Sequence, residues 1–138
     1  MIKVAGPTLE QLEKLSVKSD YAIFRAAGDC MEGLGIPDGS YGEVCFRRFP
    51  RPDRHDPCFC WLNYMGIHYA GIKEYIGVRG TMQMVGTRYK NRPNWTATAD
   101  RIFGVVFACW DSTGRLLWRR ELIDYPTGGG LRYAINKA

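Results

Sequence analysis

No apolar run in this chain approaches the roughly 18 residues that a helical membrane span requires, so no membrane role is expected. Met1–Gly6 has no charged stretch leading into an apolar one, which argues against a signal peptide and for a cytoplasmic setting. A disulfide framework is missing too. The five cysteines (Cys30, Cys45, Cys58, Cys60 and Cys109) are odd in number and irregularly spaced, as suits a reducing compartment. Cys58 and Cys60 lie close to His55, but a zinc site would need a second ligand pair at matching spacing, and there is none. No metal or cofactor is expected. On a strand the two thiols share one face, and they read as residues of a buried surface. Internal repeats and low-complexity segments are also absent.

The 138 residues suffice for one domain with a real core, and 46% hydrophobic and 13% aromatic content is that of a globular protein. The net charge of +5 is locally concentrated at Arg47, Arg48, Arg51 and Arg54. Such a loop could touch nucleic acid or an acidic partner, yet Pro50, Pro52 and Pro57 break the run into a turn, and a solvated loop between strands is the favoured reading. No zinc finger or recognition helix accompanies it. Nucleic acid is therefore not the expected partner of this domain.

Thr8 followed by Gln11 forms a capping-box pattern and predicts a helix over residues 9–15, with Leu9, Leu12 and Leu15 on one stripe. Beyond Tyr21 the sequence predicts short strands at 21–27, 41–47, 58–64, 68–76, 81–87, 101–110 and 115–122, each rich in β-branched or aromatic residues and bounded by Gly or Pro. The fold class is mostly β. Asp111–Gly114 reads as a hairpin turn, residues 91–98 as a polar loop around Trp95, and the arm after Pro126, with its three glycines, as loose. The expected organisation is an N-terminal arm with a short helix (1–20), a main domain (21–125) and a C-terminal tail (126–138).

Residues 28–39 carry the most information. Gly28, Gly33 and Gly35, followed by Pro37-Asp38-Gly39, force an irregular, tightly turned backbone around Cys30. Turns of this kind display nucleophiles and leave backbone N–H groups free to stabilise an oxyanion. They also tuck small thiols into cores, since free cysteine is among the most buried residue types.

Gly28-Asp29-Cys30-Met31, then Gly35-Ile36 and Asp38-Gly39, resembles the signature of LexA-type peptidases, Gly-x-Ser-Met followed by Gly-Ile-x-Asp-Gly-Asp, with Cys30 in place of the serine. Gly71-Ile72-Lys73-Glu74-Tyr75 supplies a lysine at the matching distance, and the likeness runs from about Tyr21 to Trp110, including the strand Ile102–Val106. The resemblance implies a LexA/signal peptidase-like coiled antiparallel sheet with one short N-terminal helix. It also implies a Cys30–Lys73 dyad, with the backbone N–H groups of Asp29 and Cys30 as oxyanion donors and Met31 in a packing role. The family includes SOS-response and phage repressors that cut themselves at Ala-Gly or Cys-Gly bonds. Ala5-Gly6 looks like such a bond, although it lies closer to the nucleophile than in relatives.

A serine needs a strong base, whereas a thiol, which ordinarily titrates near about 8.5, gives up its proton readily to a nearby amine. The implied function is self-cleavage or selective hydrolysis of a peptide bond, with this chain's own arm or another chain as the partner segment. A peptidase fold retained as a catalytically inactive peptide-binding or protein-binding module is the alternative. Relatives commonly dimerise through late strands, and the apolar 102–110 segment is the candidate for a homodimer here. Ser40 replaces the family's usual acidic residue, which bears on turn hydrogen bonding. Alternation puts His68 on the face opposite Lys73, where it reads as structural.

Overall fold

The computed structural model describes residues 7–46, 52–124 and 131–137. Among these described residues one α-helix, α1 (Leu9–Lys18), precedes eight strands: β1 (Tyr21–Arg25), β2 (Tyr41–Cys45), β3 (Pro57–Tyr64), β4 (Ile67–Arg79), β5 (Met82–Gly86), β6 (Thr96–Trp110), β7 (Leu116–Asp124) and β8 (Leu131–Lys137). All strand pairings are antiparallel. The class is mostly β with one helix, as expected.

The capping box at Thr8 is complete: Gln11 N–H donates to Thr8 Oγ1 at 3.2 Å, and the Gln11 side chain accepts from Thr8 N–H at 3.0 Å. The helix runs on to Lys18, past the expected residue 15, and ends where Ser19 turns extended and its N–H caps Leu15 O. Leu12 is the position that α1 buries.

β6 is the spine of the sheet. Over its 15 residues it pairs in turn with β5, β3, β2 and β7. Because β3, β4, β5 and β6 pair consecutively and β5 returns to β6, these four strands close into a ring. Register shifts on β3 and β4 supply the bending that closure needs. One core packs Leu12, Met31, Ile36, Phe59, Phe103 and Trp118 together, with Phe24 stacked on Phe59 at 4.0 Å between ring centroids. The second lies among the ring strands and contains Cys60, Leu62, Val85, Ala97 and Ala99. Both faces of β3 are thus covered, and Cys58 and Cys60 are fully buried.

The structure corrects several boundaries. β6 begins at Thr96, inside the expected polar loop 91–98, because Ala97 and Ala99 alternate inward between the more polar Thr96, Thr98 and Asp100. β1 and β2 stop at Arg25 and Cys45, two residues short of expectation. The tail expected to be loose contains β8, which pairs with β7 from Asp124↔Leu131 to Trp118↔Lys137. Residues 102–110, the candidate dimer segment, are already paired with neighbouring strands and mostly buried within one chain. Ala5-Gly6, Arg47, Arg48, Arg51 and the three glycines after Pro126 lie outside the described residues.

Candidate active site

The turn carrying Cys30 is held from below and from one side. Met31 and Ile36 are buried and anchor it in the main core, with Ile36 N–H on Met31 O at 3.2 Å. Between them a 3₁₀ turn (Glu32–Leu34) ends at Gly35, whose φ of 77° is left-handed and whose carbonyl accepts from Trp118 Nε1 at 2.9 Å. Asp38 closes the start of the turn by accepting from Gly28 N–H at 2.8 Å. Ser40, standing where the family signature is acidic, is fully buried and donates to Pro37 O at 2.6 Å. The loop is thereby braced by its own residues.

The lateral brace is Arg88, two residues beyond β5. Its N–H donates to Cys30 O at 2.8 Å, and its carbonyl accepts from Gly33 N–H at 2.7 Å. A Cβ on Gly33 would stand 2.6 Å from that carbonyl, so the close approach requires glycine. The Arg88 guanidinium in turn grips Glu74 on β4, with Nε 2.9 Å from Oε2, and His55 Nδ1 lies 3.2 Å from the same oxygen. Glu74 is only 4% exposed, and buried carboxylates require such partners. Replacing Glu74 with glutamine is expected to cost about 2 kcal/mol, since a charged buried contact becomes a neutral one. It should also loosen the turn, read as faster alkylation of Cys30 together with a lower midpoint in urea.

Lys73 adjoins Glu74 and points the other way. Its Nζ lies 3.1 Å from Cys30 Sγ, inside the reach of about 4 Å expected of a working pair. The lysine is 4% exposed, with Nζ 5.1 Å from the centroid of Trp95 and 5.9 Å from that of Tyr69, so aromatic faces replace much of its water. Trp95 is itself fixed by stacking on Tyr64 and by donating from Nε1 to Tyr89 Oη at 3.3 Å. Burial pushes the Tyr69 hydroxyl up to about 12, helped by negative charge at Cys30, so it stays protonated near neutrality. Burial likewise pushes the Cys60 thiol up to about 12, against the lowering influence of Lys73. Cys58 is raised well above the ordinary thiol range, chiefly by burial.

No family model matches the chain, and no curated protein matches it. The geometry must therefore carry the functional reading.

The structure brings Cys30 and Lys73 together. Among the described residues, no acceptor engages the N–H of Asp29 or Cys30, while the Asp29 carboxylate is held by Arg92 at 2.6 Å. His68 stands apart from the pair, 3.3 Å from Asp100, and His55 serves Glu74 rather than a thiol. Among the described residues no group of three or more His, Cys, Asp or Glu side chains is arranged to hold a metal. No helix of the described residues is long and apolar enough to cross a membrane. A groove of about 740 Å³ is lined by Leu34, Pro37, Pro57, Trp118 and Arg120, but by neither Cys30 nor Lys73.

Sequence reasoning missed Arg88, Glu74, Trp95 and Tyr69 as parts of the site. Glu74 did carry a signal, because a charged pair in an otherwise apolar strand asks for internal partners. Trp95 carried one as well, in the Thr-Ala alternation that follows it.

Proposed function

We propose that residues 21–125 form a LexA-type peptidase domain in which Cys30 and Lys73 hydrolyse a peptide bond. The observation that supports this most directly is the 3.1 Å contact between Cys30 Sγ and a buried Lys73 Nζ. Lys73 takes the proton from the Cys30 thiol. The sulfur attacks the carbonyl carbon of an extended segment, and the oxygen that becomes negative takes hydrogen bonds from the N–H groups of Asp29 and Cys30. Lys73 then protonates the leaving amine as the carbon–nitrogen bond breaks, leaving a thioester on Cys30. Now neutral, Lys73 takes a proton from water, whose oxygen attacks the thioester and releases the new carboxylate. The pair ends as it began.

Intact-mass analysis of the full chain over time, at neutral and mildly alkaline pH, tests this beside Cys30→Ala and Lys73→Ala. A mixed set of extended peptides is included as substrate in trans. Cleavage is expected in the parent and in neither variant, with a product beginning at Gly6 if the chain's own arm is the substrate. Unchanged chain and untouched peptides would overturn the peptidase reading in favour of an inactive peptidase fold that binds a peptide or protein partner.

A further inference from the structure

We propose that Cys30 and Lys73 also form a reversible covalent cross-link, a bond between Sγ and Nζ, when a hydroperoxide oxidises the thiol. The bridge needs only the contact between the two atoms, whether or not the pair cuts peptides.

Access selects the cysteine. Cys30 is partly exposed, whereas Cys45, Cys58, Cys60 and Cys109 are buried, so a small peroxide in solvent meets one thiol first. Geometry selects the next step. In the first reaction the sulfur displaces one oxygen of the peroxide: the O–O bond breaks, Cys30 becomes a sulfenic acid, and the peroxide is reduced to an alcohol, or to water from hydrogen peroxide. Sulfur has lost two electrons and the peroxide has gained them. The peroxide oxygen that departs takes its proton from Lys73, and in the second reaction the neutral amine so formed attacks the sulfenyl sulfur, the S–O bond breaks, and the departing hydroxide takes a proton from nitrogen to leave as water. No second oxidant is consumed.

Sulfenic acids are captured by nitrogen where one is positioned to do so. Here the amine rests 3.1 Å from the sulfur and is confined by Trp95 and Tyr69, which gives it the advantage that fixed neighbours hold over reagents in solution. Two ties restrain the cysteine from swinging away: Arg88 N–H on its carbonyl and the buried side chain of Met31 beside it. Cys60 is the competing partner, since it also lies in the field of Lys73. It is fully buried, its thiol points at Gly71 O at 3.5 Å, and its raised proton affinity keeps it a poor nucleophile. An added thiol attacking the bridged sulfur would free the Lys73 amine and leave a mixed disulfide on Cys30, which a second thiol reduces to restore both side chains. Bridge formation consumes the nucleophile and the base together.

The test treats the full chain with a small excess of hydrogen peroxide, alkylates the remaining thiols in denaturant, and maps tryptic peptides without reductant. The expected product is lighter than the starting chain by two hydrogens before alkylation and returns to its original mass with dithiothreitol. Its map should join Ala26–Arg47 to His55–Arg79, uncut after Lys73, with Cys45, Cys58 and Cys60 all alkylated. Lys73→Arg should instead accumulate oxygen on Cys30. A parent chain in which Cys30 carries sulfinic acid while trypsin cuts normally after Lys73 would overturn the proposal. A joined peptide lacking the alkyl group on Cys60 would overturn it equally, because the bridge would then be a disulfide. The parent map decides the matter even if the variant fails to fold.

Discussion

Alkylation of Cys30 at pH 7 is expected to slow by at least about tenfold when Lys73 is replaced by alanine, which removes the amine in contact with the sulfur. The figure is set as a floor for a physical reason. An ammonium in hydrogen-bond contact with sulfur, screened from water by Trp95 and Tyr69, interacts more strongly than an exposed pair, where measured values cluster below about 1 kcal/mol. Exposure runs the other way. Removing the lysine side chain opens a path to Cys30, which alone would speed labelling. A fall in rate therefore isolates electrostatics from access. Lys73→Met, which fills the space without charge, should match or exceed the fall seen with alanine. Equal rates in parent and both variants would mean that the contact does not activate the thiol.

The second large effect concerns the fold itself. Gly104→Ala on β6 is expected to destabilise the protein by about 3 kcal/mol or more, because the cost of overpacking rises steeply when the obstacle is backbone. A Cβ at this position would sit 2.9 Å from the carbonyl carbon of Cys45 and closer still to its oxygen, and 3.1 Å from Cγ1 of Val44. No rotamer change relieves a backbone clash. β2 would have to move away from β6, and that would break the Cys45↔Val105 and Val44↔Val106 pairs. Thermal unfolding should report a fall of about 10 °C in Tm. Gly77→Ala is a useful control for space, since nothing lies within 4 Å of its Cβ position, although its φ of 134° still carries a backbone cost. A fall at Gly104 no greater than at Gly77 would show that the β2–β6 approach is softer than its geometry indicates.

Much of this arrangement was legible in the residues. The alternating and aromatic runs gave the strands nearest the core, and the Thr8/Gln11 pair gave the start of the helix, because each is encoded within a few positions of itself. The order of strands was not legible. That β6 should lie between β2 and β3, and also meet β5, depends on pairings distant in sequence and on register shifts that no local pattern marks. Strand ends failed for a different reason: Thr96–Asp100 is built from small and polar residues whose β preference is weak, and burial of Ala97 and Ala99 decides the matter. Within the site, Cys30 and Lys73 stood out by the motif that surrounds them. Arg88 did not, because it acts through its main chain, and any residue supplies an N–H and a carbonyl.

Lys73 belongs to the closed ring of β3 to β6, whereas Cys30 rides on a turn whose lateral attachment is the pair of backbone hydrogen bonds to Arg88. Opening the turn asks those two bonds and the buried contacts of Met31 and Ile36 to give way, whereas moving Lys73 asks for a breach of the ring. Amide hydrogen exchange at Gly33 and Arg88 is therefore expected to outpace exchange in β3, which is paired on both sides.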